Sequence, residues 1–281
     1  MRQINYQKFS ESLNKSVIYL VFLIISFFVL YPLVYVLSGA FSEGNSMADL
    51  SIIPFSSVTF EHFKELFTKT DYGRWFLNTL IISVETCAAT VLIASLSAYV
   101  FSRFRFKFKK PFLMSLLILQ IFPSFVGMIA IYVILRRIGG LDTLWGLVLV
   151  YVAGNIPYNT WLVKNYMDTV SRSIDEAARI DGAGHFRIFW QIIMPVIRPI
   201  ITFLAITSFT APWMDFIFPK MVLRSSENQT LAVGLFNFVS DKKNEFTVFA
   251  AGSLLVAIPF IIFFLITQKT LITSFGGAVK E

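Results

Sequence analysis

Residues Ser173–Pro195 read SIDEAARIDGAGHFRIFWQIIMP. This polar, helix-capable stretch, closed by a proline, interrupts a chain built otherwise of membrane-length apolar runs. Such a segment belongs in water, and water beside a membrane domain is where a soluble partner meets it. The 281 residues are 56% hydrophobic and 15% charged, with a mean hydropathy of +0.69, well outside soluble usage. The chain is therefore expected to be an integral membrane protein, and its 31 phenylalanines suit lipid-facing surfaces. A single cysteine, Cys87, excludes an internal disulfide and a cysteine metal cluster, and His62 and His185 match no ligand spacing. No metal site is expected. The formal charge of +7 fits the positive-inside rule and anionic head groups, so no nucleic-acid partner is expected.

A bilayer core of roughly 30 Å needs about 20 mainly apolar residues per helix. Six stretches reach that length: Val17–Leu37, Phe76–Val100, Phe112–Leu135, Leu144–Val163, Ile200–Phe218 and Val248–Ile266. β-barrel alternation is missing from them, which leaves helices as the spanning solution. The first stretch has a basic residue before it and small residues after it, as a secretory signal would. Its uncharged run from Ser16 to Ser42 is too long for that, so it is read as a retained anchor.

Orientation follows from the basic residues. The N-terminal tail holds Arg2, Lys8 and Lys15, and the loop after the second span holds Arg103, Arg105, Lys107, Lys109 and Lys110. Both are expected in the cytoplasm, with the C-terminus and residues 164–198. The acid-rich Glu43–Arg74 segment then faces outward, against the dissent of Arg136 and Arg137. One membrane domain, residues 1–281, is expected: a peripheral span at 17–37, a five-helix core at 76–266, a cytoplasmic loop at 173–195 and a tail at 276–281.

Within the quoted stretch, Ser173-Ile174-Asp175-Glu176 fits a capping box, and its two acids suit the positive end of a helix dipole. The spacing predicts a short helix over Ile174–Ile180 with a small apolar face of Ile174, Ala177 and Ala178. Gly182 and Gly184 then bend the chain, and a second helix over His185–Met194 returns to the membrane. From these residues alone, the element either lies on lipid head groups or docks onto another protein. Its apolar face is too small for strong lipid anchoring, while the alanines permit close approach.

Glu176-Ala177-Ala178, three residues, Gly182, nine residues, then Ile192-x-Met194-Pro195 resembles the loop signature of permease subunits of ATP-binding-cassette importers. Met194 replaces the usual leucine, a volume-conserving exchange. Asn78-Thr79-Leu80, Ala98-Tyr99 before the basic cluster, and the terminal Gly276-Gly277-Ala278-Val279-Lys280 extend the resemblance to the sugar-importing branch, in particular the smaller maltose/maltodextrin permease. The resemblance implies an all-α type I importer fold, with six transmembrane helices and a coupling helix between spans four and five. It implies that Glu176, Ala177, Ala178 and Gly182 sit in a cleft of an ATPase subunit, and that Gly276 and Gly277 reach towards it. It also implies as partners a second homologous permease, two ATPase subunits, an extracellular or periplasmic sugar-binding protein, and an oligosaccharide. This chain lacks a G-x-x-x-x-G-K phosphate loop, so ATP and Mg are expected on the partner ATPases, with no cofactor here and no enzymatic activity of its own.

Polar residues inside spans mark candidate pathway positions. Trp213 and Asp215 stand beside Pro212 in the fifth span, and Asn155, Tyr158 and Asn159 flank Pro157 in the fourth. A planar aromatic face with hydrogen-bonding groups suits a sugar; interhelical packing is the plainer reading of each. Glu85, the costliest residue in the bilayer, is expected to be paired, protonated or in water. It is also the residue that a rival, proton-coupled secondary transporter would use. Gln229–Leu235 resembles a loop of maltodextrin permeases that faces the binding protein, and galacto-oligosaccharide permeases look similar there.

Overall fold

The computed structural model describes residues 2–47, 58–121, 123–240 and 244–277, with backbone alone for 2–14, 124 and 269–277. No strand occurs among the described residues. In chain order the helices are α1 (Arg2–Phe41), α2 (Glu61–Thr68), α3 (Tyr72–Arg103), α4 (Lys109–Ile121), α5 (Ser124–Ile138), α6 (Leu144–Asp168) and α7 (Ser173–Ile180). There follow α8 (His185–Val196), α9 (Arg198–Met214), α10 (Ile217–Val222), α11 (Leu231–Phe236) and α12 (Phe246–Gly277). The chain divides into two compact units, Met1–Thr70 with Phe236–Val256, and Asp71–Leu235 with Ala257–Glu281.

In the first unit, the apolar segment Lys15–Phe41 of α1 runs 27 residues, and the most hydrophobic part of it is wholly unburied. A helix apolar on every side, with none of that stretch buried among the described residues, is built to face lipid. Its C-terminal end does pack: Ala40 joins Phe246, Ala250 and Ala251 in a small core, with Tyr35, Val36 and Phe63 against it. His62 is buried there, Nε2 lying 2.8 Å from the Ser42 carbonyl oxygen. That is the placement of a structural histidine.

The second unit is organised around α3, which packs against α6 and α9. Thr79, Ser83, Thr86, Thr90, Ala94 and Ala98 follow one another every three or four residues, and all are buried. Small side chains at that spacing bring helix backbones close, which is how helices associate where no hydrophobic drive separates protein from lipid. One end of the stripe feeds a core of Tyr99, Val163, Met167, Ile188, Phe189, Ile193 and Leu204. The other end meets Ile82, Leu135, Leu147, Phe218 and Val222.

Two expected spans differ in detail. The third is broken, α4 and α5 meeting at 104°. Pro123 at the junction has φ −61° and ψ 119°, and without an N–H it cannot donate to a helix running through it. The fifth ends four residues early at Met214, because Asp215 is extended (ψ 122°) and its Oδ1 accepts from the Phe218 amide at 3.3 Å to open α10. Three unbroken helices are long and apolar enough to cross a membrane, and up to five spans result if each bent pair counts as one. The α6 helix, 25 residues and so about 37 Å long, has the length, but Asn155, Pro157, Tyr158 and Asn159 dilute its middle.

Candidate functional site

The 173–195 stretch folds as two short helices around a glycine turn, with one correction at its start. Arg172, not Ser173, precedes the first turn, and no side chain caps it. The capping box is absent because Ser173 already lies inside the helix, and the Ser173 amide donates instead to the Ser171 hydroxyl at 3.3 Å. Glu176 is thereby released from capping: it is exposed, and its carboxylate has no hydrogen bond or ion pair among the described residues. The expected apolar face also divides. Ala178 turns into the core, whereas Ile174 is 37% and Ile180 is 88% exposed, with Ala177 beside them on the surface.

Gly182 takes φ +81°, a left-handed turn that side chains with a Cβ disfavour. Ala183 N then donates to the Ala178 carbonyl at 2.9 Å, closing α7 and launching α8. The middle of α8, Ile188–Ile193, winds as a π-helix, whose five-residue hydrogen-bond step puts Ile188 and Ile193 on one face. Both are wholly buried, while Phe186 on the opposite side is 76% exposed. Of the C-terminal expectation, Gly276 and Gly277 end α12, and residues 278–281 lie outside the described residues.

What fixes this loop to the spans is a polar knot that sequence reading missed. The guanidinium of Arg103, the last residue of α3, has Nε 3.0 Å from Asp175 Oδ2, both side chains being almost wholly buried. This is a contact of charges rather than an aligned hydrogen bond. Its Nη1 donates to the Met167 carbonyl at 3.3 Å, in the last turn of α6, and its Nη2 to the Val170 carbonyl at 3.1 Å, two residues beyond that helix. Arg172 donates to the Ser102 carbonyl at 2.8 Å, and Ser102 Oγ donates to Asp168 at 2.6 Å. Burial raises the Asp168 carboxyl, but Lys164, 2.6 Å away, and Ser102 outweigh it and hold the group below the usual carboxylate range. The only available signal was a charge excess read as topology.

The expected pathway residues do not assemble in one place. A cavity of about 450 Å³ is lined by Ile131, Leu135, Leu149, Tyr151, Asn155 and Asp215, among others. Asp215 accepts from the Tyr151 hydroxyl at 2.9 Å. Asn159, one turn on from Asn155 and buried, donates to its carbonyl at 2.8 Å. Tyr158 is 48% exposed and Trp213 is 4% exposed, and neither lines the cavity. Trp213 meets Phe76 and Phe260 edge-on, with centroids at 5.4 and 5.7 Å, the geometry of aromatic packing. Tyr151 was missed, although Tyr151, Asn155 and Asn159 stand four residues apart and so share one helix face. Glu85 is exposed midway along α3, without a partner among the described residues.

At the far end of α3, two motifs noted separately in the sequence bind each other. Asn78 Nδ2 donates to the carbonyls of Glu227 and Gln229 at 2.8 and 3.0 Å, and the Leu231 amide donates to Thr79 Oγ1 at 2.8 Å. A Cβ at Gly234 would stand 2.1 Å from the Trp75 ring, so glycine is required for this approach. Asp142 steadies the same loop, Oδ1 accepting from the Arg224 and Ser225 amides at 2.9 and 3.1 Å. Burial raises that carboxyl, yet these donors hold it below its ordinary value.

Comparisons agree with this architecture. Residues 90–270 match the family model of binding-protein-dependent transport system inner membrane components. The chain is 43% identical to a maltodextrin transport system permease protein of Bacillus subtilis, over 96% of this chain and 98% of the other. It is 41% identical to a galactooligosaccharides transport system permease protein of the same organism, over 93% and 94%. Its fold matches a chain of a bacterial ABC transporter involved in the import of the acidic polysaccharide alginate, with TM-score 0.80 and 22% identity, over 92% of this chain and 97% of that one. The all-α importer-permease fold expected from the loop signature is thus the fold observed. The chain belongs to the family of binding-protein-dependent transport system inner membrane components, as a multi-pass permease of an ABC transporter and a transport component rather than an enzyme.

Proposed function

We propose that this chain is one of two homologous permeases in an importer of maltodextrin-type oligosaccharides. Two ATPase subunits holding ATP and Mg dock beneath it, and an extracellular or periplasmic binding protein delivers sugar from above. Residues 1–281 act as one membrane domain with both termini in the cytoplasm, 17–37 being peripheral and 76–266 supplying half of the pathway. One observation carries the docking role: Glu176, Ile180 and Phe186 stand exposed on a loop whose other side is locked into the core through Asp175, Ala178 and Ile188. A projecting surface anchored from behind transmits force. ATP drives transport only by binding the two transporter states with different affinity, and the docked loop carries that difference to the spans.

The maltodextrin assignment is supported by the 43% relative and the galacto-oligosaccharide alternative by the 41% one. Asn155 and Asp215, on the cavity wall, are the proposed sugar-side groups. Trp213, Tyr158 and Asn159 contribute through the packing around them. Proton coupling through Glu85 predicts uptake that survives ATP depletion, and family membership argues against it.

The test is co-purification with the neighbouring subunits, followed by ATP turnover against each sugar. Maltodextrins are expected to stimulate turnover, and Glu176→Lys or Gly182→Pro to abolish the stimulation while membrane insertion persists. Stimulation by galacto-oligosaccharides alone selects the alternative, and full stimulation in both variants defeats the docking role.

A further inference from the structure

The α7 helix has eight residues, too few to be stable alone. It buries two of them, Asp175 and Ala178. An alanine methyl contributes little apolar contact, so the orientation of α7 depends on what holds Asp175. The segments on either side, residues 169–172 and 181–184, are irregular and cannot impose it.

Asp175 is held by Arg103, and the same planar cation reaches the Met167 carbonyl in the last turn of α6 and the Val170 carbonyl just beyond it. One side chain therefore joins three elements: α3, which carries it, α6, whose end it caps, and α7, whose first turn it pairs. Arg172 returns to the Ser102 carbonyl beside it, so the connecting segment converges on the same point. A lysine cannot replace this arrangement, since an ammonium is a point charge on a flexible stem without the rigid fork that spans separate acceptors.

We propose that Arg103 is the positioning residue that makes the docking loop a rigid extension of α3 and α6, so that displacement of the exposed α7 surface moves both spans together. This rests on the docking role proposed above. It assigns to a residue at the end of a membrane helix a function in energy transfer, distinct from the loop's contact with the ATPase.

The experiment measures distances on the full chain with spin labels at Ile180, 88% exposed, and at Val100 of α3, 44% exposed, and measures sugar moved per ATP on the assembled transporter without labels. The unmodified protein is expected to give one narrow distance distribution. Arg103→Lys is expected to broaden it and to lower sugar moved per ATP about ten-fold, within the usual range of coupling between sites, with the ATPase still bound. Should that variant fail to fold, Arg103→Met with Asp175→Leu decides: both charges leave together, so no unpaired buried ion remains, yet the fork is lost. A narrow distribution with full sugar per ATP in this double variant overturns the proposal; a broad distribution with reduced coupling supports it. If the unmodified chain retains no ATPase, the docking role fails instead, and the distribution measured on the chain alone still decides whether Arg103 holds α7.

Discussion

The two ends of α3 each fasten a distant segment, and they do so with different chemistry. At the Arg103 end a buried cation gathers one carboxylate and two carbonyls, one in the last turn of α6 and one just beyond it. At the Asn78 end uncharged groups share the work, Asn78 donating to two carbonyls, Thr79 accepting from an amide, and the Trp75 indole donating to the Ser226 carbonyl at 3.3 Å. A buried charge pair is all-or-none, because removing one partner strands the other in a medium that cannot solvate it. A neutral set is graded, each bond being worth about 1 kcal/mol net. The contrast teaches that the first end is suited to rigid transmission, and the second to a surface loop that adjusts while staying attached.

The contrast breaks first at Asp175. Asp175→Ala leaves Arg103 buried without a counter-charge and is expected to destabilise the protein by about 3–5 kcal/mol, read as a fall in the thermal unfolding midpoint in detergent. An unchanged midpoint means that water already solvates Arg103, and the distinction between the ends disappears.

Much of this was legible in the chain itself. The apolar runs gave the helical membrane class, because the bilayer sets their length, and Gly182 makes the bend expected of it, through a left-handed backbone. The capping box failed for a local reason: S-x-x-E marks a helix start to within a turn, and Ser171, two residues earlier, accepts from the Ser173 amide that the Glu176 carboxylate would have taken. A proline such as Pro123 does not disclose whether its helix bends slightly or turns through 104°, which depends on the packing around it. The Arg103–Asp175 pair was illegible because the partners are 72 positions apart in sequence, and topology alone accounts for a basic cluster after a span. Trp213 illustrates the reverse case. Its polar neighbours suggested a sugar site, yet three phenylalanines, 76, 209 and 260, surround its ring.

A middle-sized effect sharpens the comparison at the other end. Asn78→Ala removes both donors to the Glu227 and Gln229 carbonyls and is expected to lower stability by about 1–3 kcal/mol. Hydrogen exchange is expected to rise at residues 227–231 and to stay unchanged at 173–180. Exchange rising equally in both segments would show that α3 transmits the loss along its length, and that the two ends are not independent.

The smallest effect concerns an ion pair at the Asn78 end, Arg74 with Glu227 at 3.2 Å. It resembles the Arg103 pair in composition and differs in surroundings, the two side chains being 54% and 71% exposed. Water and salt screen such a pair, and holding two long side chains together costs entropy, so exposed pairs contribute about 0–1 kcal/mol. Arg74→Ala is accordingly expected to leave the unfolding midpoint nearly unchanged, and the small difference is expected to vanish in high salt, where the Debye length shrinks to about 3 Å. A loss as large as that of Asp175→Ala, persisting in salt, would mean that charge fastens both ends. Burial, rather than the presence of opposite charges, is what separates the two pairs.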